Sequence, residues 1–140
     1  MVLDPSQRKQ VARARVARLA SVRPDGRPHV VPITFALDGD TIVTIIDQKP
    51  KTTTSLQRLR NIAGQPAVSV IVDHYDDDWA RLWWVRADGT ARIETDGDDR
   101  DRAIVTLADK YAPYRDDPPE GPAIIVAVDQ WTSWSASSPG

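Results

Sequence analysis

The sequence predicts a mainly β protein of the α+β class, in which six or seven antiparallel strands form a closed or split barrel. Short runs rich in β-branched residues alternate with turn signals such as Pro-Asp-Gly and Asp-Gly-Asp over most of the chain. Only three segments have helical patterns: one at the start, a short one in the middle and one before the last strand. So few helical residues cannot cover both faces of a flat sheet, which favours a barrel.

The composition is typical of one soluble globular domain. The chain has 140 residues, 41% hydrophobic and 27% charged, with a formal net charge of −2 and no cysteine. We expect a single domain over residues 1–140, ending in a short polar tail at 132–140. No apolar run approaches the ~20 residues that cross a bilayer, and the start lacks the apolar core of a signal peptide. We therefore expect a cytoplasmic protein that binds neither nucleic acid nor membrane.

The first part of the chain predicts a helix and then a hairpin. Asp4-Pro5 combines a capping side chain with a proline at the first helical position, so a helix is expected as far as Ala14. A strand over Ala17–Val22 follows. Pro24-Asp25-Gly26 then turns the chain, and a second strand is expected over Pro28–Leu37.

The second predicted strand carries a proline in its middle. Alternate residues from Val31 to Leu37 are apolar and share one face, which indicates a strand with a core side. Pro32 has no N–H to donate to a ladder, so this strand is expected at an edge or at a bulge. An interrupted ladder leaves backbone groups available to a flat polar ligand. Alternatively, the proline only protects an edge strand.

A stretch from Thr41 to Asp73 predicts strand, basic turn, short helix and strand. The strand Thr41–Ile46 leads into the turn Asp47–Lys51, which carries two lysines. A helix over Thr52–Asn61 and a strand over Ala67–Val72 follow. Cations, hydroxyls and free N–H groups at the start of a helix favour an anion cradle. A solvated basic loop is the alternative interpretation.

The second half predicts a hairpin, a helix and a final strand. The expected elements are a strand over Arg81–Ala87, a hairpin turn at Asp88-Gly89, a returning strand over Thr90–Thr95, a helix from Asp96–Asp99 to Tyr111 that Pro113 ends, a loop over 114–122 and a strand over Ala123–Trp131. Asp-Gly pairs favour two-residue hairpin turns, and acidic residues stabilise a helix N-terminus. The last strand is apolar on both faces, which indicates a central position.

The two histidines give little support to metal or acid–base chemistry. The segment Asp73–Asp78 holds four aspartates but one imidazole, and it has no calcium-loop glycine pattern. We interpret it as an acidic turn, and no metal site is predicted. His29 is interpreted as a solvent-facing residue at a strand start, with a catalytic role as the alternative, and His74 as a turn residue. No catalytic residue is assigned.

The order of these motifs resembles the split β-barrel flavin-binding family, which contains pyridoxamine 5′-phosphate oxidases and deazaflavin (coenzyme F420)-dependent reductases. The resemblance rests on the initial helix, the hairpin Arg23–Ile33, Lys49-Pro50-Lys51, Leu59–Ile62 and Pro66, in that order. It covers nearly the whole chain. The run Asp73–Gly89 looks most like a branch of small F420-dependent enzymes.

The resemblance implies a split barrel of the FMN-binding type, a homodimer with two equivalent cofactor clefts at the subunit interface, and a small-molecule substrate. The cofactor-binding residues that it implies are Val31, Pro32, Ile33, Ile46 and Asp47 along the ring, Lys49, Lys51, Thr52, Thr53, Arg58 and Asn61 around the phosphate end, and Trp83 and Trp84 from the second subunit. Both tryptophans could instead serve only the core or the subunit interface.

Three functions stay open from the sequence. The first is an F420-dependent oxidoreductase that transfers a hydride to a small conjugated or redox-active substrate. The second is an FMN-dependent oxidase or reductase resembling pyridoxamine-phosphate oxidase. The third is a flavin- or haem-binding protein without turnover, for which haem would need an axial ligand. F420 continues from its phosphate into lactate and several glutamates, so the basic track from Lys49 to Arg60 favours F420 over FMN.

Overall fold

The helices and strands follow the predicted order closely. A computed structural model of the chain describes residues 2–46 and 53–137, with only the backbone described over residues 53–56. The strands are β1 (Ala17–Val22), β2 (Pro28–Ile33), β3 (Ala36–Asp38), β4 (Thr41–Ile45), β5 (Ala67–His74), β6 (Trp83–Glu94) and β7 (Ala123–Ser135). The helices are α1 (Pro5–Arg13), α2 (Thr53–Gly64), α3 (Asp98–Lys110) and α4 (Ala112–Asp116), with a short 3-10 turn at Trp79–Arg81.

The strands form one antiparallel sheet in the order β2-β1-β5-β6-β7-β4-β3. β2 and β3 are therefore its two edges, yet only Thr34 and Phe35 separate them along the chain. Three extended peptide units span at most ~11 Å, so the sheet must curl until its edges meet. This confirms the predicted mainly β, α+β class and the split barrel. We call the two-residue connection the seam.

The barrel interior is filled by apolar side chains. Leu19, Phe35 and Ile124 are fully buried in it. Val11 of α1 and Ile62 of α2 belong to the same core, so both helices cover openings of the barrel. A second core lies outside, where α3 packs on the outer faces of β4 and β7.

The N-terminal cap of α1 agrees with the prediction. The Asp4 carboxylate accepts from the backbone N–H of Gln7 at 2.8 Å, and the Gln7 side chain accepts from the backbone N–H of Asp4 at 3.0 Å. Pro5 occupies the first helical position. This capping box satisfies donors that the helix itself leaves free.

The single strand predicted over Pro28–Leu37 is wrong, because the chain breaks at the seam. Phe35 is fully buried, and its backbone groups bond to side chains of Lys110 and Tyr111 instead of a neighbouring strand. The edge position expected for Pro32 is confirmed, since β2 pairs only with β1 in the described sheet.

The hairpin turn predicted at Asp88-Gly89 is also wrong, since β6 runs unbroken from Trp83 to Glu94. The register against β7 shifts between these two residues, which marks a β-bulge. A Cβ at position 89 would overlap the carbonyl oxygen of Ala127, so glycine is needed here for close approach of two backbones.

Two boundaries near the C-terminus differ from the prediction. The polar tail expected from residue 132 begins later, because β7 continues to Ser135 while pairing with the start of β6. α3 already ends before Pro113, which lies in the first turn of α4 where proline is tolerated. Part of the loop expected over 114–122 is therefore helical. No described helix has both the length and the apolar character needed to cross a membrane.

Candidate functional site

One face of α2 is turned toward β1 at an opening of the barrel. Arg58 and Asn61 lie three residues apart and so share a helix face. Asn61 is 1% exposed; its Nδ2 donates to Ser21 Oγ at 3.0 Å, and its Oδ1 accepts from Gln57 Nε2 at 2.7 Å. This buried amide fixes the rotation of the helix and hence the direction of Arg58.

Arg58 is a half-buried cation at this opening. Its Nε is buried and has no hydrogen-bond partner among the described residues. Burial lowers the pKa of Arg58, and the nearby Tyr114 phenol partly offsets that shift. Tyr114 is itself hydrogen-bonded to Thr34 of the seam, with 2.7 Å between the two hydroxyl oxygens. Arg58 therefore stands close to the point where the sheet closes.

His29 lies inside the barrel, so the solvent-facing position expected for it is wrong. It is 9% exposed, and it faces inward with Ile33 because alternate residues of β2 share one face. Its strand neighbour on β1 is Ser21, the residue that Asn61 contacts. Burial lowers the pKa of His29, and the charges of Arg23 and Arg58 lower it further. Both effects favour the neutral imidazole.

At the residues predicted to lie along the cofactor ring, backbone groups are more available to a ligand than side chains are. Ile33 and Ile46 are buried in the barrel core, and Val31 packs against it. Pro32 is exposed on the edge strand. The Ile46 N–H donates to the Pro122 carbonyl at 3.0 Å. A flat ligand at this edge would thus meet backbone groups, Pro32 and part of Val31.

Four of the predicted contacts, namely Asp47, Lys49, Lys51 and Thr52, lie outside the described residues. Thr53 is described only as the first residue of α2. The predicted cradle at the start of this helix therefore stays a prediction.

Trp83 and Trp84 lie away from the β2 edge within one chain, because β1 and β5 separate β6 from β2. Trp83 packs against the barrel core and stacks on His74, with 6.3 Å between ring centroids. Trp84 faces outward beneath the guanidinium of Arg86, 5.9 Å from the ring centroid.

The sequence interpretation missed two features, one at the opening covered by α2 and one at the seam. His29 has the same strand parity as Val31 and Ile33, which would have placed it inside. Lys110 carries no signal in the sequence pattern. Its Nζ lies 3.9 Å from the ring centroid of Phe35, and burial followed by the charge of Arg15 lowers its pKa to about 8. In the acidic turn and elsewhere in the described chain, no three His, Asp or Glu side chains gather into a possible metal site.

A cleft of about 420 Å³ opens beside this face of α2. It lies between the β1–β2 turn and the C-terminal end of α2, and Arg23 and Asn61 are among its lining residues. Through Asn61 the cleft adjoins the contact between α2 and β1, although neither Arg58 nor His29 is among its lining residues.

Comparison with known proteins agrees with this architecture. The sequence model of the family described as pyridoxamine 5′-phosphate oxidase matches residues 3–135. The conserved hypothetical protein Rv2991 from Mycobacterium tuberculosis has a similar structure, with a TM-score of 0.77 and 21% identity over 97% of this chain and 87% of that chain. No curated protein matches the sequence significantly.

Two further solved structures have named ligands or activities. An F420 reductase is 25% identical, with a TM-score of 0.69 over 93% of this chain and 98% of that chain. The haem storage protein HutZ from Vibrio cholerae is 17% identical, with a TM-score of 0.73 over 96% and 95% of the two chains.

Proposed function

Because this chain belongs to the pyridoxamine 5′-phosphate oxidase family, we propose that it is an oxidoreductase that binds coenzyme F420 beside the β2 edge of the barrel. The family supplies a flavin- or deazaflavin-binding, oxidoreductase-like fold. The similarity to an F420 reductase supports the choice of the deazaflavin. The proposed substrate is a small conjugated or redox-active organic compound.

The observation that carries this proposal is the position of Arg58. It is half-buried on the face of α2 that looks toward β1, and no carboxylate among the described residues pairs with it. A half-buried cation without a counterion is unfavourable, so an anionic ligand group would be bound strongly there. Phosphate oxygens suit a guanidinium particularly well.

The unpaired edge of β2 supports the proposed position of the cofactor ring. Its outer side has no partner strand in the described sheet, and Pro32 removes one donor from it. The remaining backbone groups can bond to the polar edge of a flat ring system. The core side chains Ile33 and Ile46 behind it hold that backbone rigid and dry.

When bound, a reduced deazaflavin supplies a hydride. The protein then has to orient ring and acceptor and exclude water. For this chain, the backbone of β2 would orient the ring, with Ile33 and Ile46 packed behind it. Hydride transfer needs no nucleophilic side chain.

F420 is favoured over FMN by the number of cations near the site. FMN ends in one phosphate, whereas F420 continues into carboxylates that can contact further basic groups. Arg58 and the exposed Arg60 lie on α2, and the predicted cradle adds Lys49 and Lys51 ahead of it. An FMN-dependent oxidase or reductase is the alternative within the same fold.

Haem binding without turnover is a second candidate function, favoured by one observation. His29 is a buried imidazole whose neutral form is favoured and whose Nδ1 has no partner among the described residues. Such a nitrogen is chemically able to act as an axial ligand. The similarity to HutZ concerns the fold alone.

The proposal includes a homodimer, which the outer face of the sheet supports. Trp84 and Trp134 are cross-strand neighbours that face outward, and Trp134 is 46% exposed. Val30 of β2 faces the same side and is 60% exposed. The described helices lie elsewhere, at the barrel openings and outside β4 and β7. An exposed aromatic face of this kind is typical of a protein–protein interface.

The test is a parallel titration of cofactor-free protein with oxidised F420, FMN and haem, followed by fluorescence or absorbance. We expect tight F420 binding and weak FMN binding. Arg58→Gln should weaken F420 binding about tenfold or more, because a charge-assisted hydrogen bond is lost. Arg13→Gln, which removes an exposed arginine of α1, is the matched control. Preference for FMN or haem would overturn the F420 proposal.

A further inference from the structure

Two buried polar atoms in this structure have no hydrogen-bond partner among the described residues. They are Nδ1 of His29 and Nε of Arg58. Buried polar groups are almost always paired, so an unpaired one indicates an absent ligand or water. Where two such atoms lie close together, one ligand group can satisfy both.

The two side chains face the same opening of the barrel. His29 lies beside Ser21 across the β1–β2 pair, and Asn61 contacts Ser21 from α2. Arg58 shares the helix face of Asn61. The charge of Arg58 is also close enough to His29 to lower the pKa of the imidazole. Helix geometry, strand register and electrostatics thus agree on the juxtaposition.

We propose that His29 and Arg58 together form an oxyanion site at the barrel opening covered by α2, and that oxyanion binding is coupled to protonation of His29. A protonated imidazole offers an N–H at Nδ1, and the guanidinium offers one at Nε, so both unpaired atoms become donors to one anion. A neutral imidazole can also present an N–H at Nδ1, but only the protonated imidazole adds a positive charge that attracts the anion.

The coupling follows from the charges around the imidazole. Arg23 from the β1–β2 turn and Arg58 from α2 both disfavour a third positive charge at His29. Tyr114 from α4 acts on Arg58, while Ser21 and Asn61 are neutral. An oxyanion offsets the arginines and raises the pKa of His29, so it binds more tightly below that pKa than above it.

The oxyanion site does not depend on the identity of the cofactor. That its natural occupant is the phosphate group of F420 rests on the proposed function. His29 would then be a binding residue that the sequence did not suggest, added to the predicted Arg58.

The direct test is a proton NMR titration of the two histidines in cofactor-free protein. The chain has only His29 and His74, so His74→Gln assigns both imidazole signals. The probe is sulfate, whose charge is constant between pH 4 and 8, compared with chloride at equal ionic strength. We expect saturating sulfate to raise the pKa of His29 by about one unit or more. His74, which is exposed at the end of β5, is the internal control.

Two variants separate this site from a general salt effect. Arg58→Gln should abolish the sulfate-induced change at His29, while Arg60→Gln should keep it. His29→Gln should weaken sulfate binding about tenfold at pH 5.5, because a charged donor is lost, and change it little at pH 8. Thermal unfolding of each variant shows whether the fold is kept. The wild-type titration itself needs no variant.

The outcomes distinguish this inference from the proposed function. An unchanged pKa of His29 in sulfate would overturn the oxyanion site, whatever F420 does. A haem absorption band that requires His29 would assign Nδ1 to iron instead and also overturn it. A sulfate response without F420 binding would support the site while removing the proposed cofactor.

Discussion

The ammonium of Lys110 donates to the carbonyl oxygen of Phe35 at 2.9 Å and ties α3 to the seam of the barrel. The N–H of Phe35 donates to the Tyr111 hydroxyl at 3.2 Å, and Thr34 is hydrogen-bonded to Tyr114. A connection that crosses from one edge of a sheet to the other has no ladder for its backbone groups. Side chains at the end of α3 and in α4 satisfy them instead.

Lys110 makes stability depend on pH in a predictable direction. Its pKa is about 8 when folded and 10.5 when free, so between these values the unfolded chain binds more protons. The free energy of unfolding therefore rises with pH in that window. The cost of burying the Lys110 ammonium is fully present below pH 8. Between pH 7 and 9.5 the free energy of unfolding of wild type should therefore increase by about 1–2 kcal/mol relative to that of Lys110→Met, once the partial exposure of Lys110 is allowed for.

Urea unfolding at several pH values measures this difference. Lys9→Met, which removes an exposed lysine of α1, is the control and should show no such trend. Staying below pH 9.5 avoids ionisation of Tyr111, whose pKa is raised by burial. A difference in the free energy of unfolding between wild type and Lys110→Met that stays constant with pH would show that the Lys110 ammonium is fully solvated.

The buried pair Asn61 and Ser21 should be energetically coupled. Replacing either residue with alanine leaves the other without its partner inside the protein, at a cost of about 1–3 kcal/mol in the free energy of unfolding. In the double variant neither side chain of this pair is left facing a lost partner, so the loss should be smaller than the sum of the single losses. A double-mutant cycle measured by urea unfolding should give a coupling of at least about 0.5 kcal/mol. Strict additivity would mean that the two side chains do not interact.

Local patterns were sufficient to predict much of the fold. Asp4 and Pro5 predicted the start of α1, and the β-branched run at residues 41–46 predicted β4, because capping and side-chain periodicity are local properties. The seam was not predictable in this way. Its two residues continue the apolar alternation of β2, and only closure of the whole sheet makes the chain cross there.

In the candidate site, too, local features were predictable from the sequence and tertiary contacts were not. The basic character of α2 is visible in the sequence, and so is the parity that places His29 inside. That Arg58 and His29 face one opening depends on how α2 packs against β1 through Asn61, which is a tertiary contact between residues 40 positions apart. Asp88-Gly89 was misinterpreted because its glycine serves a backbone approach to β7, not a turn.

Gly89 should tolerate no side chain. In Gly89→Ala the new methyl group would overlap the Ala127 carbonyl oxygen, so β6 and β7 would have to separate at the bulge. We expect a loss of about 2–4 kcal/mol in the free energy of unfolding. Gly64→Ala is the matched control, since nothing lies near the corresponding position at the end of α2. Equal stability of the two variants in urea would show that the bulge is compliant.

The outward-facing Trp134 should control self-association if the sheet face forms the proposed homodimer. Trp134→Glu places a charge on an apolar interface, where it would be desolvated without a partner. We expect the wild type to sediment as a dimer and this variant as a monomer with an unchanged circular dichroism spectrum. Trp79→Glu is the control, because Trp79 is 68% exposed but lies in the 3-10 turn, not on a strand of that face.

The same pair of variants connects assembly with cofactor binding. Each cleft is proposed to need both chains, so the Trp134→Glu monomer should bind F420 more weakly than wild type and Trp79→Glu should bind it equally well. Titration at a protein concentration where wild type is dimeric makes the comparison direct. A monomer that binds F420 at full strength would place the whole site within one chain and remove the shared cleft. A Trp134→Glu variant that stays dimeric would assign the interface to a different surface.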